Sequence, residues 1–380
     1  MFVCGEGSVE VHGRVPGRKG LWKLTMHGTT IGGLSCVEPA FDETRCRWLT
    51  PGLIDLQVNG INGLSFTDDS LSTEALARAD RNIRDRGVSR YCPTIMTCSF
   101  ATARAALHAF HSAWEAGAIP GAGGVHLEGP WISGEDGFRG VHPREHVRDP
   151  SIAELHAFQE AAGGHVRIIT LAPEREGARS VIRAAVEQGI VISLGHTRAS
   201  PSEVAEAIEA GARMSTHLFN GCARLIDRHS NPIFSQLSHD SLYGCFIADG
   251  LHVPLSTLQT GLRAKGFHRS ILVSDIVHLS GLPDGEYEMG GMNVELRDGA
   301  VFVKDGWMLS GAARTLEKDV EILACQPEPG IEQALLMATV NPAAALNDSS
   351  WAELSPGRTG PVAVFSWDGS RLSLEERIGF

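Results

Sequence analysis

Four residues carry the strongest chemical signal in this 380-residue chain: Glu128 in 123-GGVHLEG, His196 in 190-IVISLGH, His217 in 213-RMSTHLFN and Asp275 in 271-ILVSDIV. Each stands at the carboxyl end of a short apolar run. One carboxylate and two imidazoles that converge form a three-ligand set for a zinc-like divalent ion and leave a position open for water. Asp275, opposite them, could take that water's proton. Singly, each residue also fits a loop or cap: His196 could help cap the helix that starts at Ser200-Pro201, and Glu128 could accept in the Gly129-Pro130 turn. Their coincidence at one end of four runs, flanked by glycines that permit close approach, points to a metal or catalytic site. The remaining polar residues at such ends are Asp55, Gln57, Asn59, His126, Asn220, Asp249 and His252.

The elements that must position these groups are legible in the pattern. Eight short β-rich runs, at 52-GLIDLQV, 90-RYCPTIMT, 123-GGVHLEG, 166-VRIITLAP, 190-IVISLGH, 213-RMSTHLFN, 243-YGCFIAD and 271-ILVSDIV, alternate with helical patterns such as 73–86, 101–116, 151–162, 178–188 and 202–210. Runs this apolar suit parallel strands buried on both faces. Eight alternations predict an α/β fold, a (β/α)8 TIM-type barrel, with a doubly wound open sheet as the alternative. In a barrel the catalytic groups gather at the carboxyl ends of the strands, where the four residues stand. Residues 1–48 and 345–380 read instead as short strands, each with too little apolar surface to stand alone, and are expected to form one small β-sandwich domain from both termini. The barrel then spans 49–344, with a β insertion around 287–308 whose hairpin turns fall at Arg297-Asp298-Gly299 and Lys304-Asp305-Gly306.

Composition removes other function classes. Thirty-three Lys and Arg against 45 Asp and Glu give a net charge of −12, so a chain-wide nucleic-acid role is not expected. No stretch approaches the roughly 18 apolar residues of a membrane span, and the N-terminus lacks a leader-like apolar run. Eight cysteines without a CxxC pair fit reduced thiols and a cytoplasmic location. The five lysines, Lys19, Lys23, Lys265, Lys304 and Lys318, leave none at the ends of the first seven strands to bridge two metals, and Gln57 and Asn59 stand where a second ion would need histidines. One divalent metal ion is expected, with Zn²⁺ favoured and Fe²⁺ or Co²⁺ as alternatives.

The segments 51-PGLIDLQVNG, 126-HLEGPW, 193-SLGHT, 216-THLFN, 247-IADGLH and 272-LVSD, continued by 309-LSGA, 341-NPA and Pro356-Gly357, resemble in order and approximate spacing the N-acetylglucosamine-6-phosphate deacetylases of the amidohydrolase superfamily. The resemblance covers nearly the whole chain. It implies a homodimer and deacetylation of a small-molecule amino sugar, with N-acetylglucosamine 6-phosphate as the leading substrate. By motif it assigns Glu128, His196 and His217 to the metal and Asp275 to general base and then acid. His142 in Gly140-Val141-His142-Pro143 matches a substrate contact near the scissile amide; Asn220 and Gly221 match contacts to the sugar phosphate, and His252 a further substrate contact. The chain departs from the family after Asn220, where 220-NGCARLIDRHSNP replaces the segment whose arginine grips the phosphate; Arg228, or else Arg224, would substitute. Two other readings stand beside the leading one: the same chemistry on an unphosphorylated amino sugar or N-acetylgalactosamine 6-phosphate, and a non-catalytic sugar-phosphate binder.

Overall fold

The computed structural model describes residues 8–304 and 308–380. The predicted turn at Lys304-Asp305-Gly306 and the first seven residues of the N-terminal reading therefore lie outside the described residues, wholly or in part. The chain opens with an antiparallel sheet of β1 (Val9–Gly13), β2 (Leu21–His27) and β3 (Thr30–Glu38), followed by β4 (Arg47–Thr50). The barrel then runs from β5 (Leu53–Val58), through a short hairpin of β6 (Gly60–Ile61) and β7 (Leu64–Ser65), to α1 (Thr73–Arg84), β8 (Val88–Met96), α2 (Phe100–Glu115) and β9 (Val125–Glu128). It continues with α3 (Ile152–Ala161), β10 (Val166–Leu171), α4 (Ala178–Glu187), β11 (Val191–Leu194), α5 (Pro201–Ala210) and β12 (Met214–Ser215). After α6 (Pro232–Ser238), β13 (Tyr243–Phe246) and α7 (Leu255–Lys265), it ends in β14 (Ser270–Leu272).

These eight main strands form one parallel sheet in the order β14-β13-β12-β11-β10-β9-β8-β5. Its edges meet just beyond β14. The Asp275 amide donates to the Gln57 carbonyl at 3.0 Å, and the Asn59 amide donates to the Ile276 carbonyl at 2.8 Å. The eight-run alternation thus closes as a barrel, and the open sheet is excluded. Period-2 alternation decides what points inward. On β9, Val125 and Leu127 pack in the outer layer with the helices while His126 and Glu128 face the interior; along β14 and just beyond it, Ile271, Val273 and Asp275 share the inner phase. The lower interior is apolar, with Ile54, Leu56, Ile168, Tyr243, Ile271 and Val273. Above it a polar layer carries the site: His126 Nε2 is 2.7 Å from Thr170 Oγ1, and Thr216 Oγ1 is 2.6 Å from both Thr170 Oγ1 and Ser193 Oγ.

The insertion after β14 is a four-stranded antiparallel sheet, β15 (Gly285–Met289), β16 (Met292–Arg297), β17 (Ala300–Val303) and β18 (Leu309–Ala312), with the β16–β17 turn at Asp298-Gly299 as predicted. Helices α8 (Leu316–Ala324), α9 (Gly330–Met337) and α10 (Val340–Ala345) lead to β19 (Val362–Trp367) and β20 (Leu372–Ile378). Strand β19 pairs antiparallel with both β20 and β4, so the two ends of the chain share one sheet. That sheet and β1–β3 bury Val11, Leu24, Met26, Leu49, Val362 and Val364 between them.

The layer between strands and helices holds the larger of the barrel's two buried apolar clusters. Phe110 on α2 is fully buried and meets Phe66 edge-to-face at 5.4 Å between centroids. Phe110→Ala is expected to destabilise the fold by about 3–5 kcal/mol, because it deletes a large buried ring and leaves a cavity. Chemical denaturation measures this; a loss below about 1 kcal/mol would show that the layer repacks freely.

Candidate metal centre and active site

The barrel mouth is bent by its own sequence. His196, His217 and Asp275 all adopt left-handed backbone, with φ of 49°, 25° and 51°, a conformation L-residues rarely hold without a compensating role. These bends follow β11, β12 and β14 and turn the three side chains over the polar layer. Gly221 keeps the neighbouring loop close: a Cβ there would lie 2.9 Å from His196 Nδ1. Any side chain at that position would displace the ring.

The donor atoms converge. His217 Nε2 lies 2.9 Å from Glu128 Oε1, His196 Nε2 lies 3.3 Å from the same oxygen, and the two Nε2 atoms are 3.2 Å apart. Glu128, His196 and His217 are all buried, and their donor atoms fall within 4.8 Å of one another, a geometry that could hold a metal ion. The borderline N/N/O donor set and its enclosure fit a divalent transition ion. The second nitrogen of His196 is already committed, since Nδ1–H donates to the Phe138 carbonyl at 2.9 Å, which leaves Nε2 for a metal. Nδ1 of His217 is buried and has no hydrogen-bond partner among the described residues.

Electrostatics sort the groups. Burial alone would raise Glu128, but the hydrogen bonds from His196 and His217 outweigh it and hold the carboxyl well below its usual range. Burial and then the Glu128 charge push Asp275 up to about 6. Its Oδ1 accepts from Gln57 Nε2 at 2.9 Å and from Asn59 Nδ2 at 2.8 Å, while Gln57 Nε2 also donates to Glu128 Oε1 at 3.0 Å. One amide therefore ties the two carboxylates together, and both donors address the same oxygen of Asp275. The function of Gln57 and Asn59 as clamps escaped the sequence reading, which weighed them only as ligands. Asp275 lies more than two hundred residues from both of them, and no local signal marks that pairing.

A cavity of about 550 Å³ opens over this cluster. Glu128, His142, His196, His217, Asn220, Gly221, His252 and Asp275 all line it, so eight of the nine residues singled out in the sequence meet there. The ninth, Arg228, is exposed and is not among the lining residues, whereas Arg224 is. His142 is pushed down to about 3 by burial and then by the adjacent His196 ring, so it is neutral. Its Nδ1 lies 2.8 Å from Thr97 Oγ1. Asp249 orients His252 through a 2.7 Å contact to Nδ1, and His252 Nε2 is a buried atom without a partner among the described residues. His126 is engaged below the site, donating or accepting at Thr170 and donating to the Leu56 carbonyl through Nδ1 at 3.0 Å. Met289, Phe302, Met308 and Leu309 of the insertion close one side of the cavity with apolar surface. These residues and Thr97 were not singled out in the sequence; Thr97 ends the second apolar run, 90-RYCPTIMT, just past β8, and the strand-end rule that found the others would have found it.

Such a site can bind a divalent ion, accept a proton at Asp275 and donate a hydrogen bond from a neutral imidazole. None of the family models searched matches the chain. Among curated proteins it is 37% identical over 321 residues to N-acetylglucosamine-6-phosphate deacetylase of Bos taurus, covering 78% of this chain and 74% of that one. It is 31% identical to N-acetylgalactosamine-6-phosphate deacetylase of Escherichia coli O157:H7, with 88% of each chain covered. Among solved structures, a mutant N-acetyl-D-glucosamine-6-phosphate deacetylase from Mycobacterium smegmatis, in complex with N-acetyl-D-glucosamine-6-phosphate, superposes with a TM-score of 0.85 at 26% identity over 96% of both chains.

Proposed function

The chain belongs to the N-acetylglucosamine-6-phosphate deacetylase family of the amidohydrolase superfamily, and from that membership we propose that it hydrolyses the N-acetyl amide of N-acetylglucosamine 6-phosphate to glucosamine 6-phosphate and acetate. One observation carries the reading: three buried donor atoms converge beside a carboxylate that Gln57 links to the same cluster, on the wall of a cavity of about 550 Å³.

Glu128, His196 and His217 would hold one divalent ion, Zn²⁺ by the balance of its donors. When bound, such an ion supplies Lewis acidity and makes water acidic enough to ionise near neutral pH. Asp275 takes the proton of the attacking water at the carboxylate oxygen that Gln57 and Asn59 leave uncommitted. His142 donates from Nε2 to the acyl oxygen as negative charge develops there. Asp275 then returns its proton to the amine nitrogen as the C–N bond breaks, so one group serves both half-steps. Asn220 and Gly221 bind the sugar phosphate and His252 makes a further substrate contact, and Arg224, which lines the cavity where Arg228 does not, is the better placed to meet the phosphate's charge. A homodimer in the cytoplasm completes the reading. No helix among the described residues is long and apolar enough to cross a membrane. Sedimentation as a monomer at micromolar concentration would remove the dimer.

The substrate is tested by acetate release from N-acetylglucosamine 6-phosphate, N-acetylgalactosamine 6-phosphate and free N-acetylglucosamine. The phosphate is expected to raise kcat/KM at least about 10-fold over the free sugar, since a charge-assisted hydrogen bond contributes about 1.5–3 kcal/mol. Arg224→Ala is expected to raise KM about 10-fold for the phosphorylated substrate alone, by loss of that contact. Equal rates on free and phosphorylated sugar would overturn this part of the reading. Relatives of both 6-phosphate names make the galacto epimer the second reading, and the same panel separates the two.

A further inference from the structure

We propose that Thr97 is a positioning residue that fixes His142 as its Nε2–H tautomer. A neutral imidazole carries a single N–H, and the partner of one ring nitrogen decides which nitrogen holds it. Thr97 follows β8 at the barrel mouth and is 3% exposed; His142 is 1% exposed. Thr97 Oγ1 lies 2.8 Å from His142 Nδ1 and 3.4 Å from the Glu128 carbonyl. At 3.4 Å the carbonyl lies beyond the usual reach of about 2.5–3.0 Å for a hydroxyl hydrogen bond, so the hydroxyl is free to donate to Nδ1, and the Glu128 carboxylate on the far side of the ring, which favours a hydrogen on Nε2, sets that direction. That leaves Nδ1 without a hydrogen and puts the ring's only N–H on Nε2.

Two features reinforce the assignment. Nε2 of His142 faces a carboxylate, lying 3.9 Å from Glu128 Oε2, which favours a hydrogen on that nitrogen. Gly129 leaves the room the hydroxyl occupies beside His142, because a Cβ at that residue would lie 2.1 Å from Thr97 Oγ1. The consequence for the reaction rests on the proposed contact between His142 and the acyl oxygen. An Nε2–H donates to that oxygen, whereas the other tautomer turns a lone pair towards it. Thr97 touches no reacting atom and acts through His142 alone.

The test is ¹⁵N NMR of histidine-labelled enzyme loaded with Zn²⁺, with the His142 signals assigned by their disappearance in His142→Gln. The wild-type protein should show His142 with hydrogen on Nε2 and none on Nδ1. Thr97→Ser, which keeps the hydroxyl, should preserve that state, and Thr97→Val, which keeps the shape, should lose it. Kinetically, Thr97→Val should lower kcat about 10²-fold, the usual cost of an oxyanion donor, with little change in KM, and Thr97→Ser should restore most of it. A wild-type His142 with hydrogen on Nδ1, or on both nitrogens, would overturn the proposal, and that result does not depend on how Thr97→Val folds. Full activity in His142→Gln would instead remove the acyl-oxygen contact while the NMR result still decides the role of Thr97.

Discussion

Asp275→Asn is expected to abolish nearly all turnover, with kcat reduced about 10³–10⁴-fold, the upper part of what a positioned proton-transfer group contributes. Asparagine has the same shape, and its carbonyl oxygen can still accept from Gln57 and Asn59 at the position Oδ1 occupies. The replaced oxygen becomes an amide nitrogen with no lone pair available for a proton. Both half-reactions fail together, because the same group deprotonates water and reprotonates the amine. The fold should not suffer. Burial and the charge of Glu128 both oppose ionisation of Asp275, so removing its charge relieves a repulsion and thermal stability should hold or rise. Metal content should stay unchanged, since Asp275 is outside the converging donor set. A variant that retained a tenth of wild-type kcat would exclude Asp275 as the proton carrier.

The second large effect concerns His217. Its Nε2 makes the shortest contact to Glu128, at 2.9 Å; burial is the largest single influence and lowers its basicity, but the Glu128 hydrogen bond and the charges of Glu128 and Asp275 together outweigh it and leave the imidazole more basic than usual. In the metal-free site that nitrogen therefore holds a proton more tightly than a free imidazole does. An ion entering the site displaces this proton, so affinity should begin to weaken while pH is still above the ordinary histidine value and fall further below it. His217→Gln removes one of three protein ligands and should lower affinity by more than about 10²-fold, beyond the usual cost of losing a residue that merely supports a ligand. Metal analysis after gel filtration reads this directly. Wild-type protein should carry about one ion per chain, as a three-ligand catalytic site does, and the variant close to none. A variant with undiminished metal would place the ion elsewhere.

The sequence makes the barrel legible because parallel strands buried on both faces leave compact apolar runs, and eight of them alternate with helices. The same reasoning finds Glu128, His196, His217 and Asp275, since a strand end can be read locally and the barrel gathers such ends. Strand β3 escapes it: Gly32 and Gly33 dilute the pattern of Thr30–Glu38, and its order comes from pairing with β2. The clamp of Gln57 and Asn59 on Asp275 is equally hidden, because it depends on barrel closure between the first and last strands. The choice between Arg224 and Arg228 turns on which side of an irregular loop faces the cavity. That side follows from the path of residues 220–231 across the barrel mouth, which periodicity does not encode.

The central claim is that one divalent ion, held at Glu128, His196 and His217, is required for release of acetate from N-acetylglucosamine 6-phosphate. The most direct measurement is therefore acetate release by the full-length enzyme after chelation, and again after reloading with Zn²⁺, with bound metal quantified in both samples. The account predicts that activity disappears with the ion and returns in proportion to the ion regained. A stripped enzyme as active as the reloaded one, or a fully reloaded enzyme that releases no acetate, would contradict it.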